Sequence, residues 1–204
     1  MIRIMRWLVI VLAACGPMYR QPAPPPSAGP PGGPADPARA PDPVSGAVDP
    51  TPAPMPGPPP KGVAEQFVAA HNRMRAKHCA GPLTWSSKLA DYAQKWADSL
   101  KAKGCAFGHS GGQYGENLAA GTEGVLDPEA TVAMWYDEIK QYKFPDGGFG
   151  MNTGHFTQLV WRGTTQVGCG HSQCKGNDIW VCEYDPPGNW DGEYRTNVLP
   201  TGCK

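Results

Sequence analysis

Six cysteines, Cys79, Cys105, Cys169, Cys174, Cys182 and Cys203, are the side chains whose chemistry is most directly readable in this chain. Thiolates hold zinc when they come in closely spaced pairs. The run Cys169-x4-Cys174-x7-Cys182 lacks such pairs, and an oxidising compartment would consume the thiolates. An even set of cysteines in an exported chain predicts three disulfides, and because six cysteines allow 15 pairings, spacing leaves their connectivity open. Among the histidines, His71 and His78 fall on the first predicted helix and His171 near a strand end. None of these three has an evident partner in the sequence, and they read as surface or packing residues.

The seventh cysteine has a different context. Met1 to Arg6 carries two arginines, Trp7 to Ala14 is a short apolar run, and small residues lead into Cys15, which is the layout of an export signal over residues 1–14. Leu12-Ala13-Ala14-Cys15 resembles the bacterial lipobox, which predicts lipidation of Cys15 and a mature protein tethered to a membrane. Gly16 after the cysteine, where Asp is not found, resembles the sorting pattern of outer-membrane lipoproteins. The apolar run is far too short for a membrane-spanning helix.

Residues 15–62 are Pro, Ala, Gly and Ser with scattered Asp, and 18 of the 24 prolines lie between Pro17 and Pro60. Such a stretch has nothing to bury against its conformational entropy and predicts an extended linker with a reach on the order of 140 Å. Residues 63–204 remain to build one domain with its own core. Over residues 62–204, 13 Lys plus Arg face 15 Asp plus Glu with no basic run, which gives no support to a nucleic-acid partner.

Within the domain, Val63, Phe67, Ala70 and Met74 recur at helical spacing and predict a first helix ending near Cys79 to Pro82. Ser86 and Ser87 offer N-caps to a second helix carrying Leu89, Tyr92, Ala93, Trp96 and Leu100, which ends before Gly104. Asp127-Pro128 opens a third, with Val132, Trp135 and Ile139 on one side, which ends before Pro145. His155 to Trp161, rich in aromatic and β-branched residues, reads as a short buried strand. Gln166 to His171 and Ile179 to Tyr184 read as two more strands, joined by a turn over Lys175 to Asp178. Helices first and strands afterwards predict an α+β fold, an antiparallel sheet covered by helices.

Four stretches then carry a specific resemblance: His109-Ser-Gly-Gly-Gln-Tyr-Gly-Glu-Asn-Leu-Ala119, Met134-Trp-Tyr-Asp-Glu-Ile139, Gly154-His-Phe-Thr-Gln-Leu-Val-Trp161 and Val181-Cys-Glu-Tyr-Asp-Pro-Pro-Gly-Asn189. In order and spacing they resemble the CAP superfamily, or SCP domain, of cysteine-rich secretory proteins, venom antigen 5 and plant pathogenesis-related proteins. The fungal secreted sterol-binding members are the nearest in pattern. The resemblance covers residue 63 to the end. It implies a three-layer α-β-α sandwich with a central antiparallel sheet, stabilised by disulfides. It also implies pairing of Cys105 with Cys174 and of Cys169 with Cys182, which leaves Cys79 and Cys203 for each other. Thr153 stands where plant relatives often have a cysteine, so their full scheme is not transferable.

The same resemblance implies a tetrad of His109, Glu116, Glu138 and His155 in a central cleft. Two neutral imidazoles, His109 and His155, suit a divalent ion such as zinc, with a carboxylate to orient or deprotonate bound water. The same four residues equally suit a polar network that holds elements together. Fungal relatives bind sterols at the loop before the Gly-His motif; here that loop offers Tyr142, Phe144, Phe149 and Met151 among glycines. The expected function is binding of a lipid or sterol-like ligand by an exported, lipid-anchored protein. The alternatives are a metal-dependent hydrolase using the tetrad and a surface interaction module without a small ligand.

Overall fold

The computed structural model describes residues 62–203. The predicted signal peptide, the lipidation site Cys15 and the linker up to Lys61 lie outside the described residues. The element order is α1 (Val63–Ala76), β1 (Thr84–Trp85), α2 (Ser87–Ala102), β2 (Gly115–Thr122), α3 (Pro128–Asp137), a 3-10 turn (Glu138–Gln141), α4 (Gly154–Val160), β3 (Gln166–Cys174), β4 (Asn177–Asp185) and α5 (Tyr194–Asn197). No helix among the described residues is long and apolar enough to cross a membrane.

The sheet has strand order β1-β3-β4-β2. Strands β2, β4 and β3 pair antiparallel, and the two-residue β1 joins β3 in parallel. The β3–β4 hairpin turns on Lys175 and Gly176, both at positive φ, as a two-residue hairpin loop requires. Alternation along β4 divides its side chains between two layers. Ile179 and Val181 meet Ala93, Ala97 and Leu100 of α2, with Leu118 of β2. Trp180, Cys182 and Tyr184 meet Phe67, Val132, Trp135, Phe156 and Leu159 on the other face, with Ala119. The α-β-α sandwich therefore follows from period-2 strands clad by helices on both sides.

Helix α2 lies against β3 at backbone distance. A Cβ on Gly170 would stand 2.2 Å from the Gln94 nitrogen, and one on Gly168 would stand 2.2 Å from the Ala90 nitrogen. No side-chain rotation relieves a clash with helix backbone, so Gly170→Ala is expected to destabilise by about 3 kcal/mol. A thermal unfolding midpoint within 2 °C of wild type, where that energy predicts roughly 10 °C, would reject this account of the α2–β3 contact.

All three disulfides form as the resemblance implies. Cys169 and Cys182 are directly opposed in the β3–β4 register, with Cα atoms 4.1 Å apart. Cys105–Cys174 fastens the end of α2 to the end of β3, and Cys79–Cys203 fastens the segment after α1 to the last residues of the domain.

The helix caps are where the sequence places them. Ser86 accepts from the Leu89 amide and Asp127 from the Ala130 amide, with Pro128 in the first turn. The stripe of α1 is rotated from the expected one: Phe67, Ala70, His71 and Arg75 are buried, whereas Val63 is 48% exposed. The segment from His155 to Trp161 corrects the expectation of a strand. It is helix α4, seven residues long and buried throughout, so its apolar pattern carries no period that distinguishes helix from strand.

What makes α4 a helix lies elsewhere in the chain. Its N-cap residue, Thr153, supplies no side-chain bond, and the carboxylate of Glu138 takes that role by accepting from the amides of His155 and Phe156, both at 3.0 Å. At the other end, the guanidinium of Arg75 donates to the carbonyls of Leu159, Trp161 and Thr164 and, through Nε, to Gly81. An anion at the N-terminus and a cation at the C-terminus match the helix dipole. Composition alone gave β-branched and aromatic residues, and tertiary contacts outweigh it.

Candidate functional site

Glu138 and His155 form one half of the candidate site. Glu138 opens the 3-10 turn after α3, and its Oε1 accepts from His155 Nδ1 at 2.6 Å while Oε2 caps α4. The pair is largely buried, with side-chain exposures of 6% for His155 and 14% for Glu138. Trp135 stacks on the imidazole, the ring planes 16° apart. Because the carboxylate can only accept, Nδ1 carries the hydrogen, and in the neutral ring Nε2 is the basic nitrogen.

His109 and Glu116 form the other half. His109 follows the Cys105 anchor, Glu116 is the second residue of β2, and His109 Nδ1 donates to Glu116 Oε1 at 2.5 Å. The Ser110 amide donates to the same carboxylate at 3.0 Å, so Glu116 holds the 109–110 segment against the strand. By alternation Glu116 projects to the face of β2 shared with Leu118, and Asn117 to the opposite face. Asn117 Nδ2 donates to the His155 carbonyl and to the Tyr184 hydroxyl, which links the residue beside Glu116 to α4.

His71 completes that link. Its Nδ1 lies 2.7 Å from the Phe67 carbonyl, so Nδ1 is the donor and Nε2 accepts from the Tyr184 hydroxyl at 2.8 Å. Burial drives the His71 pKa down to about 4, which keeps the ring neutral and this arrangement intact at physiological pH. His78 is also a buried packing residue, bonded to the Leu199 carbonyl and the Tyr136 hydroxyl. His171 bonds Asp178 across the hairpin and stacks on Trp180.

A fifth titratable residue, Glu183, belongs to the site and was not singled out by sequence reasoning. It stands directly opposite Glu116 in the β2–β4 ladder and is fully buried. Among the described residues neither of its oxygens has a hydrogen-bond partner of ordinary geometry, although Glu116 is close enough for the two carboxyls to act on each other. Burial first, then the charge of Glu116, push the Glu183 pKa up to about 10, so Glu183 is a neutral acid at pH 7. For Glu116 burial acts upward, but hydrogen bonds from His109 and Ser110, together with the protonated Glu183 facing it, prevail and hold the carboxyl below its usual range. The signal in the sequence was a lone glutamate in the apolar run Ile179-Trp-Val-Cys-Glu-Tyr184. Arg75 was equally legible, four residues after His71 on the buried stripe.

Both histidines thus have the carboxylate partner that orients metal-ligating imidazoles, and their donor type fits zinc. No group of three or more His, Cys, Asp or Glu side chains able to hold a metal ion comes together among the described residues. What the arrangement itself does is fix two imidazole tautomers, cap α4 and hold the 109–110 segment.

The expected ligand residues lie on the loop 142–153, between the 3-10 turn and α4. Tyr142 is buried at 7% exposure and meets Phe144 edge to face. Phe144 stacks on His78, and Phe149 lies against Gly154, where a Cβ would come within 3.0 Å of its ring. Phe144 and Phe149 are half-buried on the core, and Met151 is 56% exposed. The Glu138–His155 pair and a bond between Asn152 and Gln141 close the base of this loop.

Comparison with known proteins agrees with the fold and the motifs. The model of the cysteine-rich secretory protein family, CAP, matches residues 68–184. Protein PRY2 of Saccharomyces cerevisiae is 48% identical over 139 residues, which are 66% of this chain and 40% of that protein. Repressed by EFG1 protein 1 of Candida albicans is 49% identical over 148 residues, 67% of this chain and 54% of that protein. The chain thus spans about half or less of these fungal relatives. Pathogenesis-related protein 1A of Nicotiana tabacum is 45% identical over 133 residues, 63% of this chain and 78% of that protein. Among solved structures, Hookworm Platelet Inhibitor shares the fold at a TM-score of 0.57 and 22% identity, covering 69% of this chain and 77% of that one. NaASP2, solved with Zn2+, does so at 0.56 and 24%, covering 70% and 87%. With its family model matched over more than half of its length, and its sandwich and three disulfides in place, the chain belongs to the cysteine-rich secretory protein (CAP) family.

Proposed function

We propose that this protein is an exported binding module that takes a flat apolar ligand, a sterol or similar lipid, at loop 142–153. The observation that carries the reading is the division of that loop between core and solvent. Phe144 and Phe149 rest half-buried on α4 and its surroundings while Met151 stands outside. Gly147 and Gly148 lie between them, Gly148 at positive φ, where other residues would be strained. A loop so built can lift its aromatics from the core and place a ligand between, anchored at its base by Glu138 and His155. Binding would exchange one apolar contact for another, so opening costs little that the ligand does not restore.

Three disulfides support export, as do relatives named Secreted protein PRY1 and Secreted protein RBT4, both of Candida albicans. The Phe144→Ala/Phe149→Ala double variant is expected to lose uptake of radiolabelled cholesterol at least tenfold while keeping its three disulfides. Unchanged uptake would reject the loop as the site. Tethering through Cys15 is tested separately: Cys15→Ser, expressed with its own signal in a Gram-negative bacterium, should leave the membrane fraction for the soluble one. Retention in the membrane fraction would reject lipidation at that residue.

A further inference from the structure

Tyr142 and Tyr194 each bury a phenol hydroxyl that has no hydrogen-bond partner among the described residues. Their relative exposures are 7% and 4%. Buried hydroxyls without partners are rare, because each forfeits the hydrogen bonds it made in water. Two beside one loop call for a shared explanation.

The two rings belong to one neighbourhood. Tyr142 begins the loop 142–153 and Tyr194 begins α5, and both join the core cluster that includes Phe144, Phe149, Phe156 and Trp161. Tyr142 is near enough to help raise the Tyr194 pKa, after burial, and Asp146 on the loop pairs with Arg195, the neighbour of Tyr194, at 3.4 Å. The Tyr142 oxygen lies near the Gly148 backbone without the geometry of a hydrogen bond, and that contact leaves its own proton with no acceptor. Burial raises the pKa of both phenols, so both stay protonated donors at any physiological pH.

We infer that Tyr142 and Tyr194 form the polar end of the ligand site and donate to the single oxygen of an otherwise apolar ligand, a hydroxyl at the end of a rigid hydrocarbon body. This rests on the apolar-ligand reading of the loop and adds what selects among apolar ligands. A hydroxyl oxygen has two lone pairs and accepts from both phenols at once. The surrounding rings supply the apolar contact, and the only directional demand at the buried end is for that acceptor. A site with paired donors favours a ligand with the oxygen over an analogue lacking it, because only the former gives the buried hydroxyls a partner.

The test uses the full chain and two probes, cholesterol and cholest-5-ene, which differ only by the hydroxyl. Wild type is expected to bind cholesterol about tenfold more tightly, the worth of one to two buried hydrogen bonds. Tyr142→Phe and Tyr194→Phe should each remove a several-fold share of that preference, weakening cholesterol binding more than cholest-5-ene binding. Both variants delete a hydroxyl without a protein partner, so their melting temperatures should equal or exceed that of wild type. Equal affinity of wild type for the two probes overturns the inference while leaving the loop reading standing. So does a Tyr142→Phe/Tyr194→Phe double variant that keeps the full preference. Binding of neither probe by wild type overturns the loop reading itself.

Discussion

Replacing Arg75 by leucine should destabilise the domain by about 3–5 kcal/mol. Arg75 is fully buried, and the partners found for it are four backbone carbonyls, those of Gly81, Leu159, Trp161 and Thr164. Burial lowers its pKa only to about 10, so the guanidinium remains charged at pH 7. Exchanging a buried ion pair for apolar residues is often neutral, because both charges leave together. Here the acceptors are backbone and stay behind, unpaired, at roughly 1–3 kcal/mol each before relaxation.

Lysine at this position would keep the charge but lose the planar fork that reaches several carbonyls at once, so Arg75→Lys should fall between leucine and wild type. Urea unfolding followed by tryptophan fluorescence checks both, with equal midpoints for wild type and Arg75→Leu rejecting the account. A second consequence concerns the site. Arg75 holds the carboxyl end of α4 and Glu138 the amino end, and His155 rides on that helix. Loosening either end should therefore raise hydrogen exchange at the His155 amide before the rest of the sheet opens.

The fold was legible in the sequence wherever a face is half-exposed. Helices α2 and α3 show an apolar stripe against a polar one, and their caps at Ser86 and Asp127 are local chemistry read from neighbouring residues. The segment 155–161 was not legible as a helix, because burial on all sides removes the period and the capping groups come from residues 75 and 138. Strand β2 carries no strand signal of its own, although its eight residues pair along their whole length with β4. Gly115-Glu-Asn-Leu-Ala-Ala-Gly-Thr122 has little β propensity, and its ladder partner supplies what the residues lack.

The site divided in the same way. The motifs marked His109, Glu116, Glu138 and His155, and the structure joins them as two histidine–carboxylate pairs. Glu183 escaped notice because its importance is a matter of register. Only the alignment of β2 with β4 puts it opposite Glu116, and only burial keeps one of two facing carboxyls protonated.

Glu183→Gln should stabilise the protein at pH 8 by several kcal/mol, at most about 5, and the gain should vanish near pH 4.5. The sign follows from where the proton resides. In the folded protein Glu183 holds its proton up to a pKa of about 10, whereas in the unfolded chain it releases it at the ordinary glutamate value, near 4.5. Between these values the folded state binds more protons, so raising the pH costs stability, at most about 1.4 kcal/mol per unit for one proton. Glu116 contributes in the opposite sense, with a lowered pKa whose stabilisation is complete above pH 4.5 and is lost only on further acidification. Over pH 5–9 the slope from this pair is therefore that of Glu183. An amide is neutral at every pH and still donates toward the Glu116 carboxylate, so Gln keeps the contact and removes the proton uptake. Glu116→Gln supplies the complementary case. Without the opposing charge Glu183 should titrate closer to its ordinary value and the slope should shrink, while the amides and imidazole that Glu116 accepts from lose their anion. Unfolding free energies of the three proteins at pH 4.5, 6 and 8 decide the matter. A Glu183→Gln protein that tracks wild type at all three would mean that Glu183 is ionised in the fold, and that the charge orienting His109 is shared by two carboxylates instead of held by Glu116 alone.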